Sequence, residues 1–368
     1  YAFCSQANSS GDHIDFQQDI VKFIHTMILS KMFILDVNQL PFDKCDDAEP
    51  DFKPLFKALS KMKFIGGICC TGKPHPSILE DMQSLLEFSQ NLKIIHIANN
   101  GATTGLTQLY EASKKKEGFP IKYWNISGNH FDDFDKFIDI LERQNDKILF
   151  LGVTDCGISK QNGIRLFKAL KNNETLHYLE QLHIGKMETT GQYDDLFKAF
   201  DDYIRTLVEK DDESYQIKLN SIDLSGTENG VEFFIRSIHK NNLPLKTLIL
   251  ADSTINDDAA RQLSQFIANS TTLRCLDLSG TKIPAEQVAD VIREVSTNDN
   301  LTDFDLRLNR LKLQTGELLP IFREMLLGDL NKWTSISLDG NEMNERDLKN
   351  LIPLFARMEE LETLSLND

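Results

Sequence analysis

The sequence predicts an α/β solenoid of short parallel strands alternating with helices, and three observations carry that prediction. One spaced apolar pattern recurs about twelve times along the 368 residues. Amphipathic stretches with helical spacing fill the intervals. No linker rich in proline, glycine or serine divides the array. The composition permits the necessary core, since 41% of residues are hydrophobic and 9% aromatic.

The pattern is L-x-x-L-x-L-x-x-N-x-L, the leucine-rich repeat. It reads from Leu273 through Leu276, Leu278 and Thr281 to Ile283. It reads again from Leu301 through Phe304, Leu306 and Asn309 to Leu311, and from Trp333 through Ile336, Leu338 and Asn341 to Met343. With the fourth position as anchor, the copies centre on Leu35, Ile65, Ile95, Trp124, Leu149, Leu182, Ile222, Leu248, Leu276, Phe304, Ile336 and Leu364. The unit is near 28 to 30 residues, with one expanded copy of 40 residues after Leu182. Residues 32–368 are read as the repeat domain. Residues 1–31, with an amphipathic stretch from Phe16 to Met27, are read as a helical cap or linker.

Each part of the unit has a physical reason. Alternating apolar residues make a short strand with the anchor pointing inward. The ninth position needs a side chain that hydrogen-bonds the turn of an adjacent coil. Asn100, Asn129, Thr154, Thr227, Ser253, Thr281, Asn309 and Asn341 supply it, and Met187 breaks the series. Helical spacing appears in Ala259, Ala260, Leu263, Phe266 and Ile267, with Asn256 placed to cap, and again in Val288, Val291, Ile292 and Val295. Leu318, Ile321, Phe322 and Met325, then Leu348, Leu351, Leu354 and Phe355, repeat the theme. A strand plus a full helix per unit predicts the ribonuclease-inhibitor-like horseshoe, with strands on the concave face and helices on the convex face. No unit buries its apolar face alone, so stability comes from stacking. The expanded copy holds a longer helix from Tyr193 to Val208 and an acidic loop, Glu209 to Glu213. The chain starts at Tyr1 and stops inside a repeat, at Leu364–Asp368, so it is read as a piece of something longer.

Charge and motifs exclude several functions. The net charge of −16, from 40 basic and 56 acidic residues, argues against a general nucleic-acid binder. The longest apolar runs, such as Ile148–Leu151, are far short of the roughly 20 residues that span a bilayer. No direct membrane binding is expected of these residues. The six cysteines form no C-x-x-C and point to a reducing compartment, so no disulfide, metal or cofactor is expected. Five Asn-x-Ser/Thr triplets weigh little against that.

Gly67 to Lys73 matches the first seven positions of a phosphate-binding loop. Pro74 then stands where a hydroxyl should bind magnesium. Asp132, Asp133 and Asp135 lack the glycine and distal glutamate of a calcium loop. His96 and His183 fall at equivalent strand positions three repeats apart, too far to share a metal. No catalytic residues are assigned.

Residues 176–255 carry a more specific signal. They contain Leu179 to Lys186, ending in L-H-I-G-K, then the long helix, the acidic loop, and Leu245 to Ser253, ending in L-I-L-A-D-S. This run resembles the repeat domain of CARMIL proteins, linkers of actin capping protein, Arp2/3 and myosin I. Leu276 to Ile283 followed by Pro284 is similar to that family's L-S-G-T-K-L-S-P type of unit. An extra strand at 219–226 departs from the pattern. The resemblance implies a cytoplasmic, non-enzymatic scaffold of the cortical or leading-edge cytoskeleton, with actin-regulatory proteins as partners. It also implies a membrane-binding domain before this chain, and a dimerisation segment and a capping-protein tail after it. Ran GTPase activators use similar repeats, so a GTPase regulator is the alternative. The first arginine in the chain is Arg143, which leaves the early repeats without an arginine finger.

The concave face is the expected partner surface. Its early strands would expose Ile94, His96, Tyr123, Asn125, Ile148, Phe150 and His183, an apolar-aromatic stretch suited to interface anchors or to covering by a second copy. Its later strands would expose Asp223, Asp277, Asp303, Asp305, Arg307 and Asp339, a stretch suited to a basic partner. Asp277 and Asp305 are read as equivalent, with Asp303 beside them. Consensus residues on an unused face are the competing reading.

Overall fold

A computed structural model describes residues 34–40, 51–116, 120–187, 194–210, 216–311, 317–341 and 343–367. The expected cap helix and most of the acidic loop lie outside the described residues, as does the turn that follows Met187. The chain divides into two compact units, residues 1–158 with 172–179, and residues 159–171 with 180–368.

In the first unit β1 (Ile34–Asp36), β2 (Gly67–Thr71), β3 (Ile94–Ala98), β4 (Tyr123–Asn125) and β5 (Phe150–Gly152) pair in chain order, all parallel. Between them run α1 (Lys53–Leu59), α2 (Ile78–Asp81), α3 (Gln83–Phe88), α4 (Leu106–Lys114) and α5 (Phe134–Glu142). Leu35, Ile68, Ile95, Trp124 and Leu151 are aligned across the strands and fully buried. Gly67–Thr71 is therefore a strand with Ile68 inward, not a phosphate loop.

In the second unit α6 (Lys160–Asn172) precedes β6 (Gln181–His183), and α7 (Asp194–Glu209) precedes β7 (Ser221–Asp223). Then follow α8 (Val231–Lys240), β8 (Thr247–Ile249), α9 (Asp257–Asn269), β9 (Cys275–Asp277), α10 (Ala285–Thr297) and β10 (Phe304–Arg307). The series ends with α11 (Leu318–Arg323), β11 (Trp333–Ser337), α12 (Glu345–Phe355) and β12 (Thr363–Ser365). β6 to β12 are parallel and consecutive, with Leu182, Ile222, Leu248, Leu276, Leu306, Ile336 and Leu364 in register. Both units are leucine-rich-repeat solenoids.

The helices bury the faces their spacing predicts. α9 buries Ala259, Ala260, Leu263, Phe266 and Ile267, and Asn256 accepts the Ala259 N–H at 2.8 Å. α12 starts with a capping box between Asn344 and Asp347. The 16-residue α7 is held by aromatic rings. Phe200 meets Phe167 at 5.2 Å and Phe234 at 4.9 Å, and Phe197 stacks on Phe233 at 4.5 Å.

Three anchors differ from the sequence reading. Ile68 replaces Ile65, Leu151 replaces Leu149, and Leu306 replaces Phe304. In Ile148–Leu151 every residue is apolar, so alternation cannot choose the register. The chain places Ile148 three before the anchor, where Leu92, Ile121, Leu245 and Leu273 sit in other copies, and buries it completely. At β10 a bulge between Phe304 and Asp305 pairs Phe304 with Trp333 and Leu306 with Ile336. Phe304 thus does the work of the pattern's first leucine.

The ninth-position ladder shifts accordingly. Asn129 Nδ2 donates to the Ile97 and Ile126 carbonyls at 2.9 Å each, and its Oδ1 accepts from the Asn100 and Ala102 N–H groups at 3.1 Å each. Cys156, not Thr154, continues it, with Sγ 3.3 Å from the Ile126 carbonyl. In the second unit Ser253 Oγ donates to the Leu224 carbonyl at 3.0 Å, and Asn341 Nδ2 to the Leu308 carbonyl at 2.7 Å. Asn309 leaves the ladder. It is half-buried on the turn surface, and its Oδ1 accepts from Ser337 Oγ and the Asp339 N–H, both at 2.7 Å. These bonds satisfy turn backbone that the stacking hides from water.

One residue before the ladder position the backbone is left-handed in the copies from β2 to β11, and within each unit glycine alternates with a larger residue. The first unit has Gly72, Asn99, Gly128 and Asp155 there. The second has Lys186, Gly226, Asp252, Gly280, Arg310 and Gly340. Asn99, Lys186, Asp252 and Arg310 each lie across the glycine of the next coil. A Cβ on Gly128 would collide with Asn99 Oδ1, one on Gly280 with Asp252 Oδ1, and one on Gly340 would lie 2.9 Å from Arg310 Cγ. At Gly280 the gap also lets Arg310 Nη2 reach Asp252 Oδ2 at 3.3 Å, past the intervening coil.

Candidate functional site: the outward face of the strands

A strand residue on either side of an inward anchor points outward, so each unit presents two rows. In the first unit one row is Ile34, Gly67, Ile94, Tyr123 and Phe150, and the other is Asp36, Cys69, His96, Asn125 and Gly152. Tyr123 stacks on Phe150 with centroids 4.1 Å apart and planes 10° apart, and His96 lies 5.9 Å from Tyr123. Two glycines make room. A Cβ on Gly67 would lie 2.9 Å from Ile94 Cβ, and one on Gly152 would lie 2.9 Å from Phe150 Cε1.

This packing corrects the expected aromatic surface. Phe150 is only 6% exposed, because its ring is sandwiched against Tyr123 and lies over Gly152. Ile148 is not on the face at all. Half-buried Tyr123 is the aromatic that the face offers, beside Ile94 and His96.

The polar row is fixed by one amide. Asn125 Oδ1 accepts the Ser127 N–H at 3.1 Å, which turns Asn125 Nδ2 toward His96 Nε2 at 3.2 Å. With the amide placed so, His96 Nε2 accepts only as the neutral imidazole, which this contact favours. Burial lowers its pKa in the same direction. Burial and then the charge of Asp36 push the Cys69 thiol up. Burial also pushes up the Tyr123 hydroxyl.

In the second unit the rows are Gln181, Ser221, Thr247, Cys275, Asp305, Ser335 and Thr363, and His183, Asp223, Ile249, Asp277, Arg307, Ser337 and Ser365. His183 Nδ1 faces Asp223 Oδ2 at 3.4 Å. Burial lowers the His183 pKa, and Asp223 opposes it. Asp277 Oδ1 accepts the Ser279 N–H at 2.8 Å.

With Leu306 rather than Phe304 as anchor, the expected acidic cluster is rearranged. Asp277 is level with Arg307, and Asp305 with Cys275. Arg307 Nε and Nη2 donate to Asp305 Oδ2 at 3.0 and 2.7 Å. Asp303 sits on the turn before the strand, with φ 51°. The three carboxylates therefore do not share one patch, and an arginine stands among the two that face outward. Burial, then Asp305, pushes the Cys275 thiol up to about 12.

Sequence reasoning missed Gly67, Gly152 and the arginine's position. The glycines were visible as strand residues without side chains, and the L-x-R-L ending at Leu311 marked the left-handed turn. Among the described residues, no helix is long and apolar enough to cross a membrane.

The fold and these faces define the class, a leucine-rich-repeat solenoid with an outward strand surface. No family model matches the chain. Over 157 residues it is 28% identical to Protein CARMIL of Dictyostelium discoideum, a match covering 42% of this chain and 13% of the relative. Over 150 residues it is 27% identical to Capping protein, Arp2/3 and myosin-I linker protein 3 of Rattus norvegicus and of Homo sapiens, covering 39% of this chain and 11% of each relative. The matched part is thus a small fraction of those proteins' length. Among solved structures, the complex of Rad7 and Elc1 from yeast aligns with a TM-score of 0.47 at 14% identity, covering 85% of this chain and 77% of that one. An internalin of Listeria monocytogenes aligns with a TM-score of 0.38 at 14% identity, covering 87% and 91%. The chain is similar to CARMIL proteins, as its strand motifs imply.

Proposed function

We propose that the chain is the protein-interaction repeat domain of a CARMIL-like regulator of actin assembly, a cytoplasmic scaffold that performs no chemistry of its own. The observation that carries this is the similarity to relatives named as linkers of capping protein, Arp2/3 and myosin-I. The strand faces fit the role. A stack of parallel strands offers a rigid surface whose side chains are held by their neighbours, which lowers the entropic cost of binding. Tyr123, Ile94 and His96 supply the apolar contact in the first unit. His183, Asp223, Asp277, Asp305 and Arg307 supply a polar, mostly acidic contact in the second.

The test is capture on the immobilised chain of purified capping protein, Arp2/3 complex and myosin-I, each alone and in mixture. The expected result is retention of at least one, lost on Tyr123→Ala or on Asp277→Lys. Retention of none of the three, together with stimulated hydrolysis in a panel of small GTPases, would overturn the reading in favour of a GTPase regulator. Light scattering in the same buffer reports whether two copies associate.

A further inference from the structure

The strand faces are not the only surface with a ligand's chemistry. At the C-terminal ends of α1 and α3, in the first unit, lies a cleft of about 460 Å³. Phe88 and Met62 are its apolar lining, and Lys57, Lys61, Lys63 and Asn91 are among its polar residues. Asn91 Nδ2 donates to the Lys63 carbonyl at 2.6 Å, which ties the two loops that flank the cleft together. Phe88 is 60% exposed, the highest value among the large hydrophobic side chains of the described residues.

The charge here is opposite to that of the chain. Residues 53–122 contain ten lysines and five acidic residues, whereas the whole chain carries −16. Among the described residues Lys57, Lys61 and Lys63 are exposed and make no ion pair, while the neighbouring Lys53 and Lys115 are paired with Asp81 and Glu87. The strip continues to Lys116, whose Nζ donates to the Ser89 carbonyl beside the cleft. Burial, and after it the charge of Lys93, depresses the Lys116 pKa. Three free ammonium groups around an aromatic floor fit a ligand that is acidic along its length and apolar at one point.

We propose that this cleft docks an acidic peptide segment of a partner protein, with one bulky apolar side chain seated against Phe88 and carboxylates on Lys57, Lys61 and Lys63. The cleft's volume of about 460 Å³ accommodates one bulky side chain against Phe88, which favours a peptide over a lipid surface. The site is separate from the strand faces, so it adds a second valency to the scaffold.

The probe is a fluorescein-labelled, glutamate-rich peptide with a single central tryptophan, followed by anisotropy on the whole chain. Binding should weaken with salt. The triple change Lys57→Glu, Lys61→Glu, Lys63→Glu should lower affinity about tenfold or more. Phe88→Ala should lower it about fivefold, and replacing the tryptophan by alanine in the peptide should do the same. Lys168→Glu, at an exposed position of α6, should change nothing. Because Phe88 and the lysines are exposed, the melting temperature should stay put; a variant that melts early is replaced by Lys61→Glu alone. Equal binding of the tryptophan-free peptide, no binding of either peptide, or binding of phosphatidylserine vesicles but not of the peptide would each overturn the proposal.

Discussion

The Nζ of Lys332 lies 2.8 Å from the carbonyl oxygen of Ser296, inside the second unit, and reaches the Val295 and Asn298 carbonyls at 3.1 and 3.0 Å. A buried ammonium thus closes the C-terminal end of α10, where backbone carbonyls have no partner within the helix. Lys332→Met removes three donors from buried acceptors and should cost about 2 to 4 kcal/mol. Urea unfolding of the variant measures it. A loss within experimental scatter of zero would mean that water satisfies those carbonyls instead.

Gly280 separates the two partners of the Asp252–Arg310 pair, and its φ is +66°. Gly280→Ala should cost about 1 to 3 kcal/mol, part from the left-handed backbone and part from displacing Asp252. Adding Asp252→Ala removes the collision and leaves the backbone part. The double variant should therefore be more stable than the sum of the single changes implies. Strict additivity in chemical denaturation would show that Asp252 swings aside without cost.

Burial pushes the Cys156 thiol up to about 12. Its Sγ is engaged with the Ile126 carbonyl and shielded from solvent. At pH 8 the native chain should leave Cys156 unmodified by iodoacetamide, while half-buried Cys69 reacts slowly. In urea Cys156 should label as fast as any other cysteine. Mass spectrometry of the digested chain reads both states, and rapid native labelling of Cys156 would rule out its place in the ladder.

Burial alone would raise the Asp201 pKa, but Ser237, Asn241 and Lys240 together hold it below the ordinary carboxylate value. A carboxylate with a depressed folded pKa stabilises the fold above its unfolded pKa, and that contribution is lost as pH falls through the folded value. The chain should therefore lose stability from about pH 4 downward. Asp201→Asn should start less stable at pH 7 and lose less over the same descent. Parallel acid titrations of thermal melting separate the two, and parallel slopes would remove Asp201 from the account.

The repeat was legible because its inward residues are apolar at fixed spacing, and Leu276, Leu278, Ile283, Leu306 and Ile336 are all buried as that spacing requires. The register was not legible wherever apolar residues run together. Ile148, Leu149, Phe150 and Leu151 satisfy several alignments, and only the fixed turn beyond them selects one. The left-handed residue is the better marker, since Asp155 and Arg310 each precede the ladder position at constant distance from the true anchor. Phe304 and Leu306 are both apolar and two residues apart, so either fits the anchor, and the Asp277–Arg307 adjacency could not be read from spacing. Shielding of Phe150 depended on Tyr123 and Gly152 together, a property of two adjacent strands that no single repeat displays.

Arg307 decides how acidic the second unit's face is. It grips Asp305 and stands level with Asp277, so these three side chains carry one net negative charge rather than two. Arg307→Ala should destabilise the fold by about 1 kcal/mol or less, because the Arg307–Asp305 pair is partly solvated. Its effect on binding is more informative. If a basic partner docks there, the variant should associate faster, and the gain should shrink as salt screens it. Asp277→Lys should do the reverse. If partners dock instead on the first unit's face, neither change alters association, and Tyr123→Ala abolishes it. Stopped-flow association with a captured partner, run on all three variants at two ionic strengths, discriminates these outcomes. Acceleration by Arg307→Ala combined with retention by Tyr123→Ala assigns the acidic face. The opposite pattern assigns the aromatic one, and leaves Asp277 and Asp305 as residues that only hold the turn and the neighbouring strand.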